Sequence, residues 1–392
     1  MPNSTPMNVS IRADRVLECD GQPFFPLQAR HLPAGATWRE MAEAGFNCFR
    51  HLVFGGLNMA SAALPDERYG LKICAYLYNR TNPEYESELT ATVQRLRALP
   101  DLLSYENCNE PAWRPDAPEV VIHPADGLAT GYRMLKRLDP RHPVHQAHGI
   151  GGTVEALRAY NACADIVGCN PYPVLPPGMR RHIGIHPDGR ALDAPDQTLS
   201  AVALYTRKML EVGAGRPVWM QLQAMAWEDF AGPLTEGGDP NPDPAAILYP
   251  TYAQMRYMAF ADIIAGATGL LFSMYNLPFG SPAWADVRRL VMELSALHDV
   301  LAGRTVELPL TATYRNLGFT IWHGVQLLAK EHAGALYSLA ANSAFDPAEV
   351  TWSGFTGASA LEVLGEDRRI PVRNGSATDG FEPYGVHVYR IR

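Results

Sequence analysis

From residue 24 to residue 303, short strand-type runs alternate with helix-type runs, and this alternation constrains the fold more than any other feature. PFFPLQAR (23–30) reads as a first strand. TWREMAEAG (37–45) reads as its helix, with Thr37 as N-cap, Glu40 three residues on and Gly45 at the stop. The strand-type runs FNCFRHLVF (46–54), LKICAYLYN (71–79), LLSYENCNE (102–110) and PVHQAHGI (143–150) follow. ADIVGCNPYP (164–173), RPVWMQLQAMA (216–226) and TGLLFSMY (268–275) complete the series. Helix-type runs come after each, near 57–67, 83–99, 125–138, 154–162, 199–212, 251–265 and 284–302. Such alternation predicts a parallel sheet, and eight units closing on themselves predict an α/β fold of the (β/α)8 TIM-barrel type. An open doubly wound sheet would carry a Gly-rich phosphate turn after its first strand. ARHLPAG and the Gly149–Gly152 run both lack the G-x-G-x-x-G spacing.

After residue 303 the helical period ends. TVELPL, FTIWHGVQLLAKEH, GALYSLAANS, ALEVLGE, RRIPV and GVHVYRI read as short strands separated by turn residues. The expectation is a barrel at 1–303 followed by a small antiparallel β-sandwich at 304–392. Pro/Gly-rich stretches at 173–198 and 231–250 follow strands 6 and 7, where barrels place the walls of their clefts. A chain of 392 residues can bury a core without disulfide staples. Its cysteines at 19, 48, 74, 108, 163 and 169 form no C-x-x-C pair and read as buried free thiols. The net charge of −8 argues against nucleic acid and anionic membrane as partners. No apolar window reaches the ~18 residues of a membrane span. The first ten residues show no signal-peptide pattern, so the expectation is a cytoplasmic protein, or a secreted one with its signal removed.

Barrel enzymes build their sites at the C-terminal ends of the strands. Here strand 1 offers Arg30 and His31, and strand 2 carries Arg50. Strand 4 ends in Asn109-Glu110-Pro111, and strand 6 in Asn170-Pro171-Tyr172-Pro173. Strand 7 holds Gln221 and Gln223, followed by Trp227, Glu228 and Asp229, and strand 8 ends in Tyr275-Asn276. Trp113, Tyr76 and Tyr78 lie at or beyond strand ends, whereas Trp219 and Phe272 read as core. Polar and aromatic groups converging on one face suit a sugar: its hydroxyls need hydrogen bonds, and its apolar face packs on aromatic rings.

The run SYENCNEP, with FNCFRHL two units earlier, resembles the retaining β-glycosidases of glycoside hydrolase clan A. The resemblance implies that Glu110 is the general acid/base and that Asn109 bonds the sugar 2-hydroxyl. It implies that Arg50 braces the nucleophile, and that Tyr172 of the NPYP run contacts the nucleophile or the sugar. LECDGQPFFPLQARH resembles the first strand of these barrels, and FEPYGVHVYRI the small sandwich attached after them. The implied substrate is a β-linked oligosaccharide or glycoside, with no cofactor. His31, Trp113, Gln221, Trp227 and Tyr275 join the candidate sugar contacts.

Strand 7 departs from the clan pattern. That pattern resembles P-V-W-x-x-E with a nucleophilic Glu, and this chain has Pro217-Val-Trp-Met-Gln-Leu-Gln-Ala. Gln223, one residue past the Glu of that spacing, is the candidate equivalent, with Gln221 on the same strand face. A retaining mechanism needs two carboxylates ~5–5.5 Å apart. Three explanations stand: a Glu→Gln replacement at 223, a nucleophile nearby (Glu228, Asp229 or Glu106), or sugar binding without cleavage. Under the first, Glu at 223 is expected to raise the rate. In a regular strand residues 106, 108 and 110 share one face, which places Glu106 inside the barrel with Arg50 as its ion-pair partner. His142, His145 and His148, and the loop residues His182 and His186, lack the spacing of a metal site, so no metal is expected. A G-x-S-x-G elbow is also missing.

Overall fold

The structure is a computed structural model that describes residues 5–54, 64–77, 85–112, 123–176, 199–231, 247–316 and 324–392. Eight parallel strands form the barrel. They are β1 (Leu27–Ala29), β2 (Cys48–Leu52), β3 (Lys72–Tyr76), β4 (Leu102–Asn109), β5 (Val144–His148), β6 (Ile166–Cys169), β7 (Trp219–Gln223) and β8 (Gly269–Ser273). They pair neighbour to neighbour from β7 through β8 and β1 to β6. A bridge between Val167 and Val218 closes β6 on β7.

The outer helices bury one face on this barrel. Trp38–Glu43 starts at Thr37 through the expected capping box, with the Glu40 carboxylate accepting from the Thr37 N–H at 2.7 Å. Gly45 ends that turn at φ +98°, a conformation that favours glycine. Helices Glu86–Leu96, Ala125–Leu138, Val154–Arg158, Ala201–Gly213, Tyr252–Ala265 and Pro282–Ala296 occupy the remaining expected positions. The helix expected near 57–67 falls mostly outside the described residues, and 64–67 are not helical. The run 23–30 is also not one strand. Gln22–Phe24 pairs antiparallel with Leu17–Cys19 in a small separate sheet, and only Leu27–Ala29 joins the barrel. Pro26 lies between the two and has no N–H to donate, which ends one ladder before the next begins.

Residues beyond 303 form two antiparallel sheets. One runs Arg304–Val306, Val325–His332, Ala335–Asn342, Val386–Ile391, Ala360–Val363, Arg368–Pro371. The other comprises Thr311–Asn316, Ala348–Ser353 and Ser376–Phe381. Leu361, Val363 and Tyr389 of the first pack on Val350, Trp352 and Phe381 of the second. Leu339, Ala341, Val386 and Val388 turn the other way and join the barrel core. Arg256 donates to the Val386 carbonyl at 2.7 Å across this contact. Among the described residues no helix is long and apolar enough to cross a membrane.

Trp219 fills the lower barrel, as the sequence suggests, and two glycines make room for it. A Cβ on Gly168 of β6 would collide with the Trp219 carbonyl oxygen and lie 3.0 Å from His145 Nε2. A Cβ on Gly269 of β8 would lie 2.7 Å from the Trp219 ring. Gly168→Ala is therefore expected to cost at least about 1–3 kcal/mol, because the obstacle is backbone at the closing seam. Chemical denaturation measures this, and a neutral Gly168→Ala would refute the close-packed seam.

Candidate active site

A buried charge cluster lies in the middle of the barrel. Glu106 of β4 takes both oxygens to two arginines. Arg30, just past β1, donates from Nη2 to Oε1 at 2.8 Å and from Nη1 to Oε2 at 3.2 Å. Arg50 of β2 donates from Nε to Oε2 at 2.8 Å and from Nη2 to Oε1 at 3.1 Å. Its guanidinium also stacks 3.6 Å from the centre of the Tyr76 ring. Burial by itself would raise the Glu106 pKa, but the two guanidinium charges outweigh it and bring the value down to about 2. The expected partner Arg50 is present, and Arg30 is a second one.

Above this cluster β4 is irregular. Its pairing with β5 runs Glu106 to His145 and Asn109 to Ala147, so three steps on β4 match two on β5. This bulge corrects the expectation that 106, 108 and 110 share a face. Asn109 follows Glu106 inward, and its Oδ1 accepts from Arg30 Nη2 at 2.7 Å. Cys108 turns outward to pack on Leu128, Ala129 and Tyr160. Glu110 has a left-handed backbone, φ +51°, unusual for a residue with a Cβ and costing about 1–2 kcal/mol. Its N–H is held by the Ala147 carbonyl at 2.9 Å.

The half-buried Glu110 carboxyl accepts a hydrogen bond from Asn170 Nδ2, just past β6. Burial raises its pKa above the ordinary carboxylate value, Arg30 and Arg50 pull it down in part, and the Glu106 charge pushes it up. Tyr172 stands beside it. Gln221 Nε2 donates to the Tyr172 hydroxyl, and Ser273 also bonds that hydroxyl. Trp227 Nε1 donates to the Tyr172 carbonyl at 3.2 Å, and the two rings meet edge to face at 5.9 Å. His31 packs edge-on against Tyr275 at 5.7 Å. Desolvation and the Arg50 and Arg30 charges hold the His31 pKa well below its ordinary value, so the ring is neutral.

The candidates on and after β7 differ in what they can do. Gln223 is fully buried, and its amide is engaged with the backbone: Oε1 accepts from Val174 N at 2.8 Å, and Nε2 donates to Val174 O at 2.9 Å. Asp229 accepts from Ala226 N at 3.1 Å and from the Tyr249 hydroxyl at 3.0 Å. Glu228 Oε1 accepts from Leu248 N at 3.2 Å, while its buried Oε2 has no partner among the described residues. Burial and the neighbouring Asp229 charge raise the Glu228 pKa. Among the described residues Asn170 Oδ1, Gln221 Oε1 and His31 Nδ1 are likewise buried without partners. Trp113, Tyr78, His182 and His186 lie outside the described residues.

Arg30 was visible at the end of strand 1, but its pairing with Glu106 is set by barrel closure. In the NPYP run it is Asn170, besides the aromatic Tyr172, that meets Glu110. The six cysteines are buried free thiols. His145 and His148 point to opposite sides, one against Trp219 and one against Tyr160. Among the described residues no three His, Cys, Asp or Glu side chains are grouped to hold a metal.

Eight parallel strands with polar side chains gathered at their C-terminal ends define a TIM-like α/β barrel. No protein-family model matches the chain, and no curated protein matches its sequence. Solved structures do match its fold. One described as a glycoside hydrolase superposes with a TM-score of 0.60 at 13% identity, covering 99% of this chain and 97% of that one. An α-amylase from Anoxybacillus gives 0.54 at 10% identity, covering 90% and 88%. The α-amylase from Geobacillus thermoleovorans, complexed with acarbose, gives 0.54 at 10% identity, covering 91% and 90%. At these identities the likeness is one of fold.

Glu106→Gln leaves two buried guanidinium groups without a counter-charge and is expected to cost about 3–5 kcal/mol at pH 7. The Glu106 pKa is depressed in the folded state, so its contribution is present above the unfolded value near ~4.3 and is lost as pH falls through about 2. Urea denaturation of both proteins should show a deficit that shrinks below about pH 4. A deficit constant from pH 7 to pH 3 would contradict the charge cluster.

Proposed function

We propose that the chain is a glycoside hydrolase acting on a β-linked sugar, with Glu110 as general acid/base. The supporting observation is the contrast between two carboxyl groups on one strand. Glu106 is held anionic by two arginines, and Glu110 is pushed toward its protonated form at the mouth. A protonated carboxyl at a strand end suits proton donation to a glycosidic oxygen. Asn109 and Asn170 flank it, as a hydrogen-bonded sugar ring requires.

Asn170 Oδ1 and Gln221 Oε1, acceptors with no partner among the described residues, suit ligand hydroxyl donors, and Nδ1 of the neutral His31 ring suits a hydroxyl in the role its tautomer leaves open. Tyr172, Trp227 and Tyr275 offer ring surface to the apolar sugar face. Arg30 and Arg50 are committed to Glu106, which favours an uncharged sugar over an acidic one. Glu228 is the candidate second carboxylate, since its Oε2 has no partner among the described residues while Glu106 and Asp229 are fully engaged. A retaining course follows if Glu228 reaches the anomeric carbon. The barrel at 1–303 is the catalytic unit in this reading, and the 304–392 sheets support its helices.

The carboxylate-free β7 strand favours one second reading, a barrel that binds sugar without cleaving it. Aryl β-glycoside assays with sugar-binding calorimetry separate the two. Glu110→Gln is expected to lower kcat by about 10²–10⁴ while the Tm stays equal or rises, since a strained, desolvated acid is neutralised. Glu228→Gln should lower kcat as well if that residue is the second carboxylate. Full turnover by Glu110→Gln would sink the assignment. Sugar binding with no turnover by any form would establish the second reading.

A further inference from the structure

Gln223 ends β7 with none of its surface exposed. Its side-chain amide grips both backbone groups of one residue: the Val174 N–H at 2.8 Å and the Val174 carbonyl at 2.9 Å. Its Nε2 also reaches the Met225 carbonyl at 3.3 Å. This is the pairing that a residue on a neighbouring strand would make. It lies where backbone pairing is thin. Among the described residues, β6 meets β7 through the Val167–Val218 bridge and the bond from Val167 N to Pro217 O at 3.1 Å. Beyond that point side chains tie the two together. Gln221 holds the Tyr172 hydroxyl, Trp227 the Tyr172 carbonyl, and Gln223 holds Val174.

The grip needs a donor and an acceptor on the same side chain. Glutamine supplies both, while an ionised Glu is acceptor-only. At 223, with none of the side chain exposed, it would face the carbonyls of Val174 and Met225 and offer neither a donor. We infer that Gln223 is a positioning residue. Its amide fixes the segment 170–174, and with it the contact of Asn170 with Glu110, so that an ionised Glu at 223 is incompatible with the assembled site. The β7 side chain turned to the mouth is then Gln221, and the rate gain expected from Glu at 223 is reversed. The inference stands whether the barrel cleaves sugar or only binds it.

Melting curves of the full chain, Gln223→Glu and Gln223→Ala from pH 5 to pH 8.5 test it. At pH 8, Gln223→Glu should melt at least about 3 °C below the parent. A protonated Glu regains one donor and one acceptor, so this gap should narrow as pH falls, while the gap of Gln223→Ala stays constant. If Gln223→Glu does not fold at pH 8, its recovery at pH 5 is the same readout. A gap that does not change with pH, or parent-like melting at pH 8, overturns the inference, as does faster aryl β-glycoside hydrolysis by Gln223→Glu. Carboxyl ¹³C titration of Glu110 reports the positioning itself. Losing the Asn170 bond to its anion in Gln223→Ala should raise the Glu110 pKa by about one unit. An unchanged Glu110 titration there refutes the positioning role.

Discussion

One buried carboxylate organises the mouth of this barrel. Glu106 links β4 to the arginines that follow β1 and lie on β2, so a single group ties three strands. The desolvation of three charges would be prohibitive without this saturation. Each Glu106 oxygen accepts from both guanidinium groups. The same arginines set the electrostatics above it. They add to the burial that keeps His31 neutral, and they temper the rise of the Glu110 pKa. Arg30 also fixes Asn109. The candidate acid therefore sits on a rigid charged floor.

The second device is a break in regularity. A regular β4 would have put Cys108 inside and Asn109 outside. The bulge reverses this, and the left-handed turn at Glu110 then brings the carboxyl to Asn170. Strain of this kind persists where the surroundings over-determine it. Here the Ala147 carbonyl, the Asn170 amide and the charge floor do so. A third device is the side-chain stitching of β6 to β7, in which glutamines perform what backbone pairing does elsewhere in the barrel.

Much of this was legible in advance because it is local or periodic. The β/α alternation, the capping box at Thr37, the glycine stop at 45 and the short alternating strands after 303 follow from near-neighbour chemistry. Glu110 and Asn109 stood out as polar residues ending an apolar strand. The division of 23–30 at Pro26 was readable from the missing donor, yet the apolar run obscured it. Gln223 was misleading for a different reason. A sequence pattern reports which residue occupies a position but not which atoms it faces, and Gln223 faces a backbone.

Local patterning along the chain encodes the eight-stranded barrel, the sheets that follow it and the strand ends that carry polar groups. Hydrophobic periodicity and turn chemistry act over a few residues and leave their marks in order along the chain. The partners of those polar groups are set by assembly of the strands. Arg30 and Glu106 are far apart in sequence, and only barrel closure makes them one ion cluster. The bulge that turns Asn109 inward is a register between two strands, which no single segment encodes. The pKa contrast between Glu106 and Glu110 arises from burial and from charges on other strands, so it exists only once those strands are assembled.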